Sequence, residues 1–138
     1  MGVDSTRAED TQAWMRRARE DLRAGRTMLD AKPPLLGPAA FHSQQAAEKA
    51  LKAFLYARGA EQVMGHSVAD LAAECARLEP EFAELKERAA PLDQFYLSTR
   101  YPNSLPGGIP AEAFTARDAE RALEMAREVI AVVKRRFQ

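Results

Sequence analysis

The sequence predicts an all-α fold, an antiparallel up-and-down bundle of four to five helices. Three observations carry that expectation. Alanine, leucine, glutamate and arginine dominate, and β-branched residues are sparse. Apolar residues recur at helical spacing, with no sustained period-two alternation and no Asn-Gly hairpin dipeptide. Proline and glycine gather in a few short breaks, which leaves one-sided helices with mostly short connections. At 138 residues and 46% hydrophobic content, one domain over 1–138 is expected, with residues 1–7 read as a flexible lead-in.

The first helix is expected from about Ala8 to Ala31, with Trp14, Ala18, Leu22, Gly25, Met28 and Leu29 on one face. "KPPLLGP" ends it, because proline removes backbone donors and fixes φ. A second helix starts near Pro38 and stops at Gly59, with Ala47, Leu51, Phe54 and Leu55 as its apolar stripe. Ser67 can cap a third helix, with Asp70 as its capping-box partner and Val68, Leu71, Ala72, Cys75 and Leu78 along one side. A fourth helical region runs from Pro80 to Leu97, and Pro91 is expected to kink or divide it. "STRYPNSLPGGIP" is the longest irregular stretch. A last helix begins near Thr115, boxed by Asp118, and its stripe extends from Ala119 to Phe137.

The 20 basic and 20 acidic residues cancel, so no global field draws the chain onto DNA or an anionic membrane, though local basic patches stay open. Cys75 is the only cysteine and cannot form an internal disulfide. No apolar run approaches the roughly 20 residues that span a bilayer, and the polar N-terminus lacks a signal-peptide core. The expectation is a soluble, cytoplasmic chain without a membrane partner.

A few polar residues break the pattern. Asp21 lies seven residues after Trp14 and seven before Met28, which places a carboxylate within the apolar face. It needs a cation or hydrogen bonds there, from a neighbouring helix or from a polar site between helices. Phe41, Gln45, Glu48, Lys52 and Tyr56 share a narrow strip beside the apolar stripe of the second helix. Glu48 and Lys52 are spaced for an ion pair, and Gln45 with Lys49 forms an adjacent polar couple. This strip is either ordinary surface charge or a groove in which Gln45 meets a base edge and Lys49 or Lys52 a phosphate. His66 precedes the cap of the third helix, as a loop residue or as a hydrogen-bonding group at a cleft. His42 is expected to be exposed, opposite the stripe of its own helix.

Pro102 pushes Tyr101 toward an extended conformation, so Arg100 and Tyr101 should project from a stiff helix end. Two roles fit equally: a clamp in which Arg100 bonds Asp21 or Glu48, or a site in which Arg100 forks onto phosphate and Tyr101 stacks on a base. The chain has no Walker A, GxGxxG or GxSxG motif. Its two histidines are not spaced as a close ligand pair, so neither a metal nor a cofactor is expected.

"AREDLRAG", "FHSQQAAEKALKAFLYARG", "GHSVADL" and "STRYP" resemble, in this order, the HEPN-domain proteins of bacteria and archaea. The resemblance spans most of the chain, and the second-helix and Arg-Tyr-Pro segments are its most specific parts. It implies a five-helix HEPN-like bundle that often forms a homodimer. It also implies association with a small nucleotidyltransferase in a toxin–antitoxin-like pair, and binding of nucleotide or RNA. The matching positions are Asp21, Gln45, Glu48, Lys49, Lys52, His66, Arg100 and Tyr101.

Many catalytic HEPN ribonucleases carry an arginine followed, after four to six intervening residues, by a histidine. Here "YPNSLPGG" follows Arg100, and no histidine occurs after His66. The resulting expectation is a non-catalytic binding partner. Gln45, Lys49, Lys52, Arg100 and Tyr101 would touch the ligand, and Asp21, Glu48 and His66 would support them. A divergent, metal-independent endoribonuclease toxin using Arg100 and His66, and a purely structural dimerisation module, stand as alternatives.

Overall fold

Thirteen of the 22 residues of the helix Leu36–Ala57 are buried, which makes it the centre of the protein. The computed structural model describes residues 3–96 and 114–137, with side chains from residue 8 onward. Among the described residues there are α1 (Val3–Asp30), α2 (Leu36–Ala57), α3 (Val68–Leu78), α4 (Glu81–Ala89), a 3-10 turn (Ala90–Asp93) and α5 (Ala116–Arg135), with no strand. The central helix α2 packs against α1, α3, α5 and the 3-10 turn, while α4 lies mainly against α3 and touches α2 where Phe82 meets Phe54.

Alanine explains how one helix accommodates so many neighbours. Ala39, Ala40, Ala46, Ala47, Ala50 and Ala53 are all fully buried and let other helices approach α2 closely without side-chain entropy to lose. Gly25 does the same on α1. A Cβ there would lie 3.0 Å from Leu123 Cδ2 of α5 and 3.2 Å from the Ala39 carbonyl oxygen of α2. The three helices therefore converge where α1 has no side chain. Larger residues fill the opposite end of the core, where the Phe54 and Phe82 rings lie 4.7 Å apart and Leu51, Leu85 and Leu92 are buried around them.

The helix ends follow local chemistry in part. Thr115 and Asp118 form the expected capping box on α5, with reciprocal bonds of 3.0 and 3.1 Å. At α3 only half of the expected box forms: Ser67 Oγ accepts from the Asp70 amide at 3.1 Å, and the Asp70 side chain makes no return bond. The stronger cap of α3 comes from elsewhere. Asp93, at the end of the 3-10 turn, accepts from the amides of Val68 at 2.6 Å and Ala69 at 3.1 Å, and from the Ser67 hydroxyl at 2.9 Å. A carboxylate facing free amides at a helix N-terminus satisfies orphan donors and the positive end of the dipole together.

Pro91 does divide the fourth region: α4 ends at Ala89, the 3-10 turn carries the proline in its first turn, and the chain is helical again over 94–96. Several stripe residues depart from expectation. Leu78 and Phe137 are exposed. Leu78 ends α3 just where the chain turns through Glu79 and Pro80, and Phe137 lies past the end of α5, so helical phase no longer directs either inward. The first helix begins at Val3, earlier than the expected Ala8.

Replacing Asp93 with alanine removes a charged acceptor from three donors at the start of α3. The variant should lose about 1–2 kcal/mol of stability. Urea unfolding followed by circular dichroism would read this as a lower midpoint at unchanged slope; an unchanged midpoint would contradict the cap.

Candidate functional site

Two carboxylates, one on α1 and one on α2 itself, each collect basic groups. The first is Asp21 of α1, whose side chain is 13% exposed. Its Oδ2 accepts from Lys49 Nζ at 2.5 Å, and its Oδ1 lies 2.9 Å from His42 Nδ1. His42 and Lys49 are seven residues apart, so two helical turns of α2 present both to one carboxylate on α1. The cation that Asp21 requires thus comes from the neighbouring helix.

The second carboxylate, Glu48, is buried with a side chain only 4% exposed. Its Oε2 accepts from Lys52 Nζ at 3.0 Å and faces His66 Nδ1 at 3.2 Å. Its Oε1 accepts from Gln45 Nε2 at 3.3 Å. The same Gln45 amide donates to Gln44 Oε1 at 2.7 Å, and Gln44 donates onward to the His66 carbonyl oxygen at 2.8 Å. Lys52 turns inward: its side chain is 8% exposed and its Nζ lies 5.5 Å from the centre of the Trp14 ring. The anion on one side and the π-face on the other compensate for desolvation. Trp14 in turn stacks on Tyr56 at 6.0 Å, whose hydroxyl accepts from the Val63 amide at 3.0 Å.

His66 completes this corner. The loop before α3 reverses through Gly65, whose φ of +93° lies in the region that glycine favours. The imidazole then stacks on Tyr96, with ring centres 4.9 Å apart and an angle of 15°. With Nδ1 as the N–H that donates to Glu48, Nε2 is left as an acceptor. That arrangement can hold a proton, accept a hydrogen bond or stack on a flat ring. Cys75 offers no comparable chemistry, because burial pushes its thiol up to about 12.

The structure therefore brings Gln45, Glu48, Lys52 and His66 into one cluster, and joins Asp21 to Lys49 in a second beside it. Arg100 and Tyr101 lie outside the described residues. The expectation that His42 is exposed is corrected: it is half-buried against Asp21, because α2 has neighbours on more than its apolar stripe. Gln44, His42, Tyr96 and Trp14 also belong to the two clusters, although sequence reasoning does not mark them as site residues. The seven-residue spacing of His42 and Lys49 is the available clue. Among the described residues, no group of three or more His, Cys, Asp or Glu side chains is placed to hold a metal ion. None of the described helices is long and apolar enough to cross a membrane.

Glu48→Ala would leave the Lys52 ammonium buried against Trp14 without its anion. The expected loss is about 3–5 kcal/mol, and the double change Glu48→Leu with Lys52→Met should restore most of it. A double-mutant cycle in urea checks this; additive losses would mean that the pair is not coupled.

A model of the HEPN domain family matches residues 11–136. The chain is 29% identical over 130 residues to the Methanocaldococcus jannaschii protein named "Putative toxin MJ1304", covering 88% of this chain and 84% of that protein. It superposes on the crystal structure of TT1696 from Thermus thermophilus with a TM-score of 0.76 and 38% identity, covering 91% of this chain and 96% of the other. ST0689, described as an archaeal HEPN homologue, gives a TM-score of 0.73 and 31% identity over 93% of this chain and 98% of its own. The helical bundle built around α2 is a HEPN fold, and this chain belongs to the HEPN domain family.

Proposed function

We propose that this HEPN chain is a non-catalytic binder of a nucleotide or an RNA end, acting as a homodimer beside a small nucleotidyltransferase in a toxin–antitoxin-like pair. The toxin-type setting rests on the archaeal relative's name and the length over which the two chains align. The observation that carries the binding role is the pair of adjoining polar clusters on α2, each organised by a poorly exposed carboxylate. Buried charge held in this way keeps polar side chains in fixed positions, as recognition of a polyanion requires.

The two lysines differ in what they can offer. Lys49 is 22% exposed and Lys52 8%, which favours Lys49, still bonded to Asp21, as the phosphate contact. Lys52 instead fixes Glu48. Arg100 supplies the second phosphate contact in this reading, with its planar fork. Tyr101 or Gln45 meets the base. Asp21, Glu48 and His66 orient the cations and the amide.

Isothermal titration of the purified chain with ATP and with short RNA tests this. Arg100→Ala and Lys49→Ala should each weaken binding about tenfold, the loss of one charge-assisted phosphate contact. Undiminished binding by folded Arg100→Ala would remove Arg100 from the site. A pull-down from native lysate that recovers no nucleotidyltransferase would remove the proposed partner.

One observation favours a second reading, a metal-independent endoribonuclease. Glu48 holds one nitrogen of His66 and leaves the other outward, as in an oriented general base. Arg100 would then stabilise charge on phosphorus. Incubation of purified protein with RNA discriminates the two: cleavage lost in His66→Gln supports the enzyme, and intact RNA rejects it.

A further inference from the structure

The His66 side chain is fixed on two of its sides, yet it is 58% exposed. Its Nδ1 edge faces the buried Glu48 carboxylate. One ring face lies against Tyr96, nearly parallel, and the Tyr96 ring is itself stacked 6.1 Å from Phe41. The backbone is held as well, since Gln44 from the bundle interior bonds the His66 carbonyl oxygen. The exposure therefore belongs to the outer ring face and the Nε2 edge. A solvated loop histidine has no need of so many supports.

Tyr96 is anchored from the opposite direction. Three residues before it, Asp93 is bonded to the amides that follow Ser67, and Ser67 is the neighbour of His66. One hydrogen-bonded junction thus joins the two segments that carry the stacked rings. Such pre-organisation lowers the entropy lost when a further flat ring is added, because neither side chain must be ordered on binding.

We propose that His66 is the stacking surface for a nucleobase, with Tyr96 as the ring behind it. The assignment rests on the nucleotide- or RNA-binding reading above and changes the role of His66 from support to direct contact. A ligand that joins a flat heteroaromatic ring to phosphate would suit this corner together with Lys49, the residue that follows Glu48 on α2. Stacking on an aromatic side chain is tolerant of base identity, so affinity is expected for purines and pyrimidines alike.

The experiment uses the full chain and three probes: ATP, a single-stranded oligoribonucleotide carrying 2-aminopurine, and inorganic tripolyphosphate, which has charge but no base. His66→Ala should weaken ATP and oligonucleotide binding about tenfold and leave tripolyphosphate unchanged. His66→Phe keeps a ring but not the nitrogens, and should bind within about threefold of the wild type. 2-Aminopurine fluorescence should be quenched by the wild type and His66→Phe but not by His66→Ala. Tyr96→Leu, which removes the backing ring, should weaken the same two ligands. The base-containing probe that binds distinguishes a free nucleotide from an RNA strand.

Wild-type affinity retained in His66→Ala would overturn the stacking role alone. So would equal losses for tripolyphosphate, or binding kept by His66→Gln and lost by His66→Phe, since these report charge or hydrogen bonding. A wild-type chain that binds neither ATP nor the oligonucleotide would overturn the stacking role and the binding function together.

Discussion

Glu48 lies in the middle of the most buried helix, and a carboxylate there must be neutralised and hydrogen-bonded or the helix cannot stay where it is. Its placement organises much of what surrounds it. Lys52 is drawn inward one turn further along the same helix. Trp14 of α1 then covers the ammonium, and Tyr56 covers Trp14. Gln45 and Gln44 pass the network on to the loop before α3. The ion pair thus ties α1, α2 and that loop through contacts that an apolar side chain would not specify. A well-packed hydrophobic replacement of similar volume is often as stable, so stability alone does not explain the pair. It fixes where polar groups emerge from the bundle.

The apolar framework was legible because its signals are local. Stripes at helical spacing, the Thr115–Asp118 box and the break at Pro91 depend on residues a few positions apart. Asp21 was also legible as an anomaly, since a carboxylate in phase with Trp14 and Met28 must meet a cation. What the sequence did not reveal was which cation. His42 looks exposed from the stripe of its own helix, a reasoning suited to a helix buried on one face. The central helix has neighbours on several faces, and α1 covers the side on which His42 lies.

Asp93 shows the same limit more sharply. Nothing around "APLDQ" marks it as a cap, because the helix it caps begins 25 residues earlier in the chain. Local rules name the acceptor at position 67 and stop there. Only the folding of the 3-10 turn against α3 supplies the second acceptor. Tyr96 reads in the sequence simply as an apolar member of the fourth helical region. Its stack on His66 depends on the same long-range junction. The polar residues singled out in the sequence and found in the two clusters have partners on α2 or directly across from it. Tyr96, beyond the turn after α4, was not singled out, nor were His42, Gln44 and Trp14, and Arg100 and Tyr101 lie outside the described residues.

The two anchors of the His66 corner differ in kind, and that difference has a consequence for function. Glu48 acts from within the core, through a charge that water barely reaches. Asp93 acts at the rim, through amides at the start of a helix. Loss of the rim anchor would remove the cap of α3 while leaving Glu48 and Lys52 paired. Loss of the core anchor would unbalance Lys52 and loosen α2 against α1. The exposed ring of His66 is thus set by two different interactions, a buried charge within the bundle and a cap at the start of α3. A ligand that used this corner would sense both, whereas the bundle itself depends mainly on the first.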